Sequence, residues 1–147
     1  MIEIAIARPG DHPALVQLYH AWGYRAGIEP ADRVYVAKLG ERPIGLVRRT
    51  DERGHLLLRG MHVDPGFQRQ QVGTRLLRAF VAELPARDCY CLPFSHLTHF
   101  YSREGFDRQN EIDAPSFLRE RLAKYRAEGH DILLMRRPAV WNRDRAS

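Results

Sequence analysis

Between His55 and Leu84 the chain reads HLLLRGMHVDPGFQRQQVGTRLLRAFVAEL: an apolar run, a polar turn, then an amphipathic stretch. Leu56 to Val63 is almost continuously apolar, the pattern of a strand covered on both faces. Gly60 interrupts it, and a glycine there marks a bulge or a close approach. That suits a strand whose last residues, Met61, His62 and Val63, offer main-chain groups to something other than a neighbouring strand. Asp64-Pro65-Gly66 ends the strand, because Pro65 has no N–H for a ladder. Val72, Leu76, Leu77, Phe80, Val81 and Leu84 then recur on one helical face until Pro85 stops the helix. A helix that starts straight after a buried strand aims its unpaired N–H groups and positive dipole end at the strand's end, and phosphate groups bind well there. His62 stands at the same end, and an imidazole of pKa about 6.5 can accept a proton near neutral pH.

The flanking elements must hold this junction. Ile2 to Ala7 reads as a first strand, and Ala14, Leu15, Leu18, Tyr19 and Trp22 form a helical stripe between Asp11, a candidate N-cap, and Gly23. Tyr24 to Asp32 is irregular, and such a loop often borders a pocket, which singles out Tyr24, Arg25 and Glu29. Val34 to Leu39 and Ile44 to Arg49, separated by Gly40-Glu41-Arg42-Pro43, read as a hairpin, with a polar break from Thr50 to Gly54 before the central strand. After Pro85 come a strand from Asp88 to Leu92, a short helix from a Ser95 cap through Arg103, a longer helix from Pro115 to Glu128, and a last strand from Asp131 to Met135. The fold class is α/β (α+β): a mixed, mostly antiparallel sheet with helices on both faces and an extra helix before the last strand.

The 147 residues have room for one domain, expected over 1–137, with an Arg/Pro/Asn-rich tail over 138–147. No apolar run approaches the roughly 20 residues that span a bilayer and no signal-peptide pattern opens the chain, so a cytoplasmic protein with no membrane partner is expected. The net charge of +5 rests on arginines spread along the chain, with Lys38 and Lys124 the only lysines. No RNP, HTH or zinc pattern accompanies it, so no nucleic-acid partner is expected. Cys89 and Cys91 share one face of a strand and read as buried thiols. His96 and His99, three apart, suggest no third ligand, and no metal is expected.

The residues at the junction, QRQQVGT from Gln68 to Thr74, resemble the coenzyme A pyrophosphate loop of the GNAT N-acetyltransferase family, Q/R-x-x-G-x-G/A. Gln68 fits the first position and Gly73 the last, while Gln71 stands where the first glycine belongs. The preceding MHVDP and the following Leu76-Leu77 keep the family's register. HFYSREGF, His99 to Phe106, resembles its second signature, F-Y-x-x-x-G-F. The two motifs stand in the family's order, and the flanking element order agrees.

The resemblance implies acetyl-CoA as co-substrate and transfer of its acetyl group to a primary amine of a small molecule or peptide. Gln68, Arg69, Gln70, Gln71, Val72, Gly73 and Thr74 then hold the pyrophosphate, with Arg75 adding charge, and main-chain N–H groups of Met61, His62 and Val63 meet the thioester oxygen. Tyr101, in the second motif, is the implied general acid: a phenol of pKa about 10 can protonate a thiolate whose conjugate acid lies at about 8.5. Its other reading is a core aromatic beside Phe100. His62 is the candidate base, directly or through water, against a purely structural strand histidine. Asp64 is a weaker candidate, since Asp before Pro is natural turn chemistry. The inserted helix lies where family members shape the acceptor pocket or a homodimer contact. A different class of reading is a non-catalytic acyl-CoA sensor or interaction module in which Gln71 has degraded the loop.

Overall fold

Val34, Tyr35 and Val36 are consecutive in one strand, and all three are almost fully buried. Successive strand residues point to opposite faces, so the sheet must be covered on both. The computed structural model, which describes residues 1–139, shows how. Ile2–Ile6 (β1), Arg33–Leu39 (β2), Arg42–Glu52 (β3) and His55–Val63 (β4) form an antiparallel meander. The helix His12–Ala21 (α1) covers one face, where Leu15 and Tyr19 join Val34, Val36 and Leu46 in a buried cluster. The helix Val72–Ala82 (α2) covers the other, with Tyr35 and Phe80 ring centroids 5.5 Å apart. Gly45 lets α2 come close: a Cβ there would lie 2.9 Å from the Leu76 side chain and 3.1 Å from that of Val72.

Both hairpins are tighter than the sequence predicts. Gly40-Glu41 alone joins β2 to β3, and Pro43, expected in the turn, pairs with Lys38 beside a register shift at Ala37/Lys38. A residue without an N–H sits best at such an irregularity. The polar run from Thr50 stays in β3 through Glu52, and the turn is Arg53-Gly54, both left-handed at φ 52° and 80°. Asp11 stands at the α1 N-cap position, but its carboxylate accepts from the Arg8 N–H at 3.1 Å instead of capping the helix.

The β3–β4 ladder carries the bulge that Gly60 predicts. Leu46 pairs with His62 and Arg48 with Arg59, so Gly60 and Met61 together face Val47. Gly60 has φ +66°, and a Cβ there would meet the Tyr19 hydroxyl at 2.5 Å. That hydroxyl donates to the Gly60 carbonyl at 2.8 Å. At the far end of α2, Glu83 accepts from Arg33 Nε at 2.8 Å, Arg33 Nη2 at 3.0 Å and the Tyr35 hydroxyl at 2.7 Å. Arg49 Nη1 adds a bond to the Glu83 carbonyl at 3.1 Å.

A second compact unit begins at Pro85. In it Met135–Arg137 (β7) pairs antiparallel with Cys89–Cys91 (β5) and with Asp107–Arg108 (β6). The last strand thus lies later than the predicted Asp131 to Met135, where Ile132 makes only an isolated bridge to Phe94. The expected Ser95 to Arg103 helix is a 3-10 turn, Ser95–Leu97, followed by Thr98–Ser102 (α3). Phe94, not Ser95, holds the cap position, because the Ser95 hydroxyl is spent on the Asp131 carboxylate. Ser116–Ala127 (α4) follows Pro115 and buries Phe117, Leu118 and Leu122. Arg126 forks onto Glu111 at 2.9 and 3.0 Å, tying α4 to the preceding turn. Cys89 and Cys91 are buried thiols outside any disulfide, as expected. Of the expected tail, residues 140–147 lie outside the described residues. Among the described residues no helix is long and apolar enough to cross a membrane.

Two outcomes follow. Gly60→Ala combines a left-handed backbone with a clash against Tyr19, so urea unfolding should show a loss of about 3 kcal/mol. The hydrogen bonds from Arg33 and Tyr35 hold the Glu83 carboxyl at about 2, below its ordinary 4.5. A depressed carboxyl gives stability that is present above the unfolded-state value and lost as pH falls through the folded one. Glu83→Gln should therefore flatten the fall in melting temperature between pH 4.5 and 2, with little change in slope above that window.

Candidate active site

The bulge takes Gly60 and Met61 out of one-to-one pairing at the end of β4, just where the chain turns toward α2. The turn is built around Asp64: its N–H donates to the Ile44 carbonyl at 2.8 Å, and its carboxylate accepts from the Gly66 N–H at 2.8 Å. Arg42 bonds the same carboxylate at 3.2 Å and covers the Phe67 ring at 5.1 Å. Asp64 is thus fully engaged as a turn residue, its ordinary reading. Gln68 follows and reaches back to donate from Nε2 to the Val63 carbonyl at 3.4 Å.

Gln68, Arg69, Gln70 and Gln71 are exposed, while Val72 is buried and pins the start of α2 to the core. Arg69 and Gln71 are left-handed, at φ 68° and 62°. Gln71 therefore takes the kind of backbone that a glycine at this motif position allows, at a cost of about 1 kcal/mol for a side chain in that region. Its carbonyl accepts the first helical bond, from the Arg75 N–H at 3.1 Å, and its side chain makes no capping bond. The first-turn N–H groups of Val72, Gly73 and Thr74 thus open toward an exposed, arginine-bearing loop. This donor set, on the positive end of an 11-residue helix, fits a pyrophosphate.

His62 is set in aromatic surroundings. Its ring stacks on Tyr24 with centroids 4.3 Å apart and planes at 28°, and meets the edge of Tyr19 at 5.9 Å. Burial, and then the Arg48 charge, lower its pKa below the usual imidazole value, so the neutral, proton-accepting form persists to lower pH. Of the three loop residues singled out by sequence, only Tyr24 reaches His62; Arg25 and Glu29 are exposed. Sequence reading missed Tyr19, Arg48 and Asp32. Arg48 carried a usable signal, since Leu46, Arg48 and Thr50 share the face of β3 that looks into the α1 side, and an arginine on an inward face asks for a partner.

Tyr101 lies on α3 in the second unit and is 4% exposed. Its ring packs edge-on to Phe100 at 4.9 Å and to Phe106 at 6.0 Å. Burial raises its phenol above the ordinary tyrosine range, so it stays protonated at any pH the protein meets. In the same unit His96 stacks on Phe94 at 5.9 Å and His99 Nε2 accepts from Arg103 Nε at 3.3 Å. Among the described residues no group of three or more His, Cys, Asp and Glu side chains is placed to hold a metal.

Comparison with curated protein sequences gives no match. Solved structures resemble this chain throughout. N-acetylglutamate synthase from Neisseria gonorrhoeae, in complex with coenzyme A and N-acetyl-glutamate, is 17% identical with a TM-score of 0.65; the match covers 96% of this chain and 36% of that one. This chain thus spans about a third of that enzyme's length. A GNAT-family acetyltransferase from Staphylococcus aureus Mu50 is 15% identical with a TM-score of 0.64, covering 95% of this chain and 100% of that one. A ribosomal-protein alanine N-acetyltransferase from Escherichia coli is 16% identical with a TM-score of 0.68, covering 97% and 96%. These likenesses show the fold. The sequence pattern of the acetyltransferase (GNAT) domain matches residues 30–108, more than half of the 147 and inclusive of the loop from Gln68 to Thr74 and of the Tyr101 motif, and the chain belongs to the GNAT acetyltransferase family.

Proposed function

We propose that this protein is an acetyl-CoA-dependent N-acetyltransferase that acetylates a primary amine of a small molecule or peptide by direct attack of the amine on the thioester, with residues 1–137 working as one catalytic domain. The observation that carries this reading is the uncapped N-terminus of α2, reached from a bulged strand through the exposed 68–71 loop. Acetyl-CoA, when bound, supplies the activated acyl group. Val72, Gly73 and Thr74 N–H groups grip the pyrophosphate, helped by the Arg69 and Arg75 charges. N–H groups of Met61 to Val63 receive the thioester oxygen as negative charge develops on it. His62, kept neutral by burial and by Arg48, takes the proton of the amine directly or through a water. Tyr101 returns a proton to the departing thiolate; its raised pKa makes it a weak acid but guarantees that the proton is there to give. The relatives with coenzyme A or an alanine acceptor in their descriptions support the cofactor class and an amino group as acceptor. The left-handed backbone at Gln71 speaks against a degraded loop, since the phosphate-facing main chain keeps its form without the glycine.

Thermal unfolding with and without acetyl-CoA tests the cofactor without knowledge of the acceptor. At a hundredfold excess over Kd, binding adds about 2.7 kcal/mol, a rise of roughly 5 to 10 °C. No shift with acetyl-CoA or longer acyl-CoA species would overturn the reading. Tyr101→Phe should keep that shift and lower kcat at least tenfold; an unchanged kcat would remove Tyr101 from the mechanism. Gln71→Gly relieves the left-handed side chain, so denaturant unfolding should show a gain of about 1 kcal/mol, and titration calorimetry coenzyme A binding at least as tight as in the parent.

A further inference from the structure

We infer that Arg48 is a positioning residue for His62: its guanidinium, seated under the β4 bulge and bonded to Asp32 and to the Tyr24 hydroxyl, closes the 24–32 loop and holds the Tyr24 ring against the imidazole. The inference rests on the reading of His62 as the base. Arg48 is 3% exposed. Nη1 donates to Asp32 Oδ2 at 3.1 Å and Nη2 to the Tyr24 hydroxyl at 3.2 Å. The guanidinium carbon lies 5.8 Å over the Tyr19 ring, and Nε, pressed against Gly60, finds no acceptor. A buried cation with an unused donor is a poor choice for stability alone, where an apolar side chain of similar volume does as well or better.

Its partners indicate what it does instead. Tyr24 and Asp32 stand at the two ends of a segment without regular structure, so one planar fork fastens both ends. Asp32 Oδ2 also accepts from the Glu29 N–H at 2.9 Å, and the Tyr24 N–H donates to the Tyr19 carbonyl at 2.9 Å, while the Tyr24 ring lies edge-on to Tyr19 at 4.8 Å and stacked on His62 at 4.3 Å. Lysine could not replace this fork, because a point charge cannot bond both ends in fixed geometry. Against the imidazole stand Tyr19 on α1 and Tyr24 on the loop, Arg48 on β3 acts on it by its charge, and Asp32 bonds that guanidinium. The Arg48 charge disfavours the imidazolium, and Asp32, paired with the guanidinium at 3.1 Å, offsets part of that charge.

Opposite shifts on one nucleus test this. The His62 imidazole is titrated by NMR in the free full-length chain. Arg48→Met should raise its pKa, because the charge is gone and Tyr24 is released. Asp32→Asn should lower it, because the amide oxygen still accepts from Arg48 and from the Glu29 N–H, so the loop stays closed while the charge that offsets Arg48 is gone. Release of Tyr24 is read in the same spectra from the ring-current shift of the His62 ring protons, which Arg48→Met should lose and Asp32→Asn should keep; an upward pKa shift in Asp32→Asn would mean that the loop opens although the fork keeps its acceptors. Both variants moving upward, or neither moving, would overturn the inference. If Arg48→Met does not fold, Asp32→Asn decides alone: a downward shift supports the inference and an upward or null shift overturns it. His62→Gln separates the two layers, since acetyl transfer that survives it sinks the base reading while the titration result stands.

Discussion

The bulge in β4 is the constraint on which the site depends. Two residues opposite one shift the register of the strand before His62 and Val63 pair again, and that requires a residue able to hold φ +66° with a phenol hydroxyl against its α-carbon. Only glycine meets both demands. Tyr19 then locks the result, because its hydroxyl donates to the Gly60 carbonyl while its ring edge meets His62. One tyrosine of α1 thus couples the backbone irregularity to the orientation of the imidazole two residues later. The main chain of the bulge and the imidazole are set by the same tyrosine.

The start of α2 is held differently. Val72, Leu76, Leu77 and Phe80 are buried almost completely, each worth about 1.5 to 3 kcal/mol as area removed from water. The Arg33–Glu83 pair at the other end of α2 is about 40% exposed on each side and contributes about 0 to 1 kcal/mol after screening. Burial therefore keeps α2 on the sheet, and the polar clamp determines where its C-terminal end rests. Gly45 sets the distance, since any side chain there would push the helix away from β3. A firmly seated helix allows its first turn to stay uncapped and to offer N–H groups to a ligand.

Polar groups under His62 make the opposite trade. Arg48, Asp32 and Tyr24 spend hydrogen bonds inside the protein to keep a loop in one place. Burial of His62 itself, and then the Arg48 charge, lower its affinity for a proton, while burial of Tyr101 in the second unit raises the affinity of its phenol. Both groups are thereby held in their uncharged forms.

The elements around the junction can be read from the amino-acid order alone. Strand, turn and helix from His55 to Leu84 are legible because hydrophobic period and Pro/Gly punctuation are local properties, and Gly60 announced its bulge for the same reason. Turn lengths were less legible: Thr50 to Glu52 and Pro43 look like loop residues but lie in β3, because hairpin ends pair through main chain whatever their side chains. The last strand was misplaced because the apolar run from Ile132 to Leu134 packs inward without a ladder, while the basic Met135–Arg137 stretch finds its partners in β5 and β6. That Tyr19 and Tyr24 pack on His62, with Arg48 and its partner Asp32 behind them, follows from the packing of the elements alone. These residues come from a helix, a loop and a strand, and no periodicity encodes which face of one element looks at which residue of another. The backbone at Gln71 was also beyond the sequence, since glutamine carries no preference for φ 62°, and it is taken where the chain enters α2 at the buried Val72.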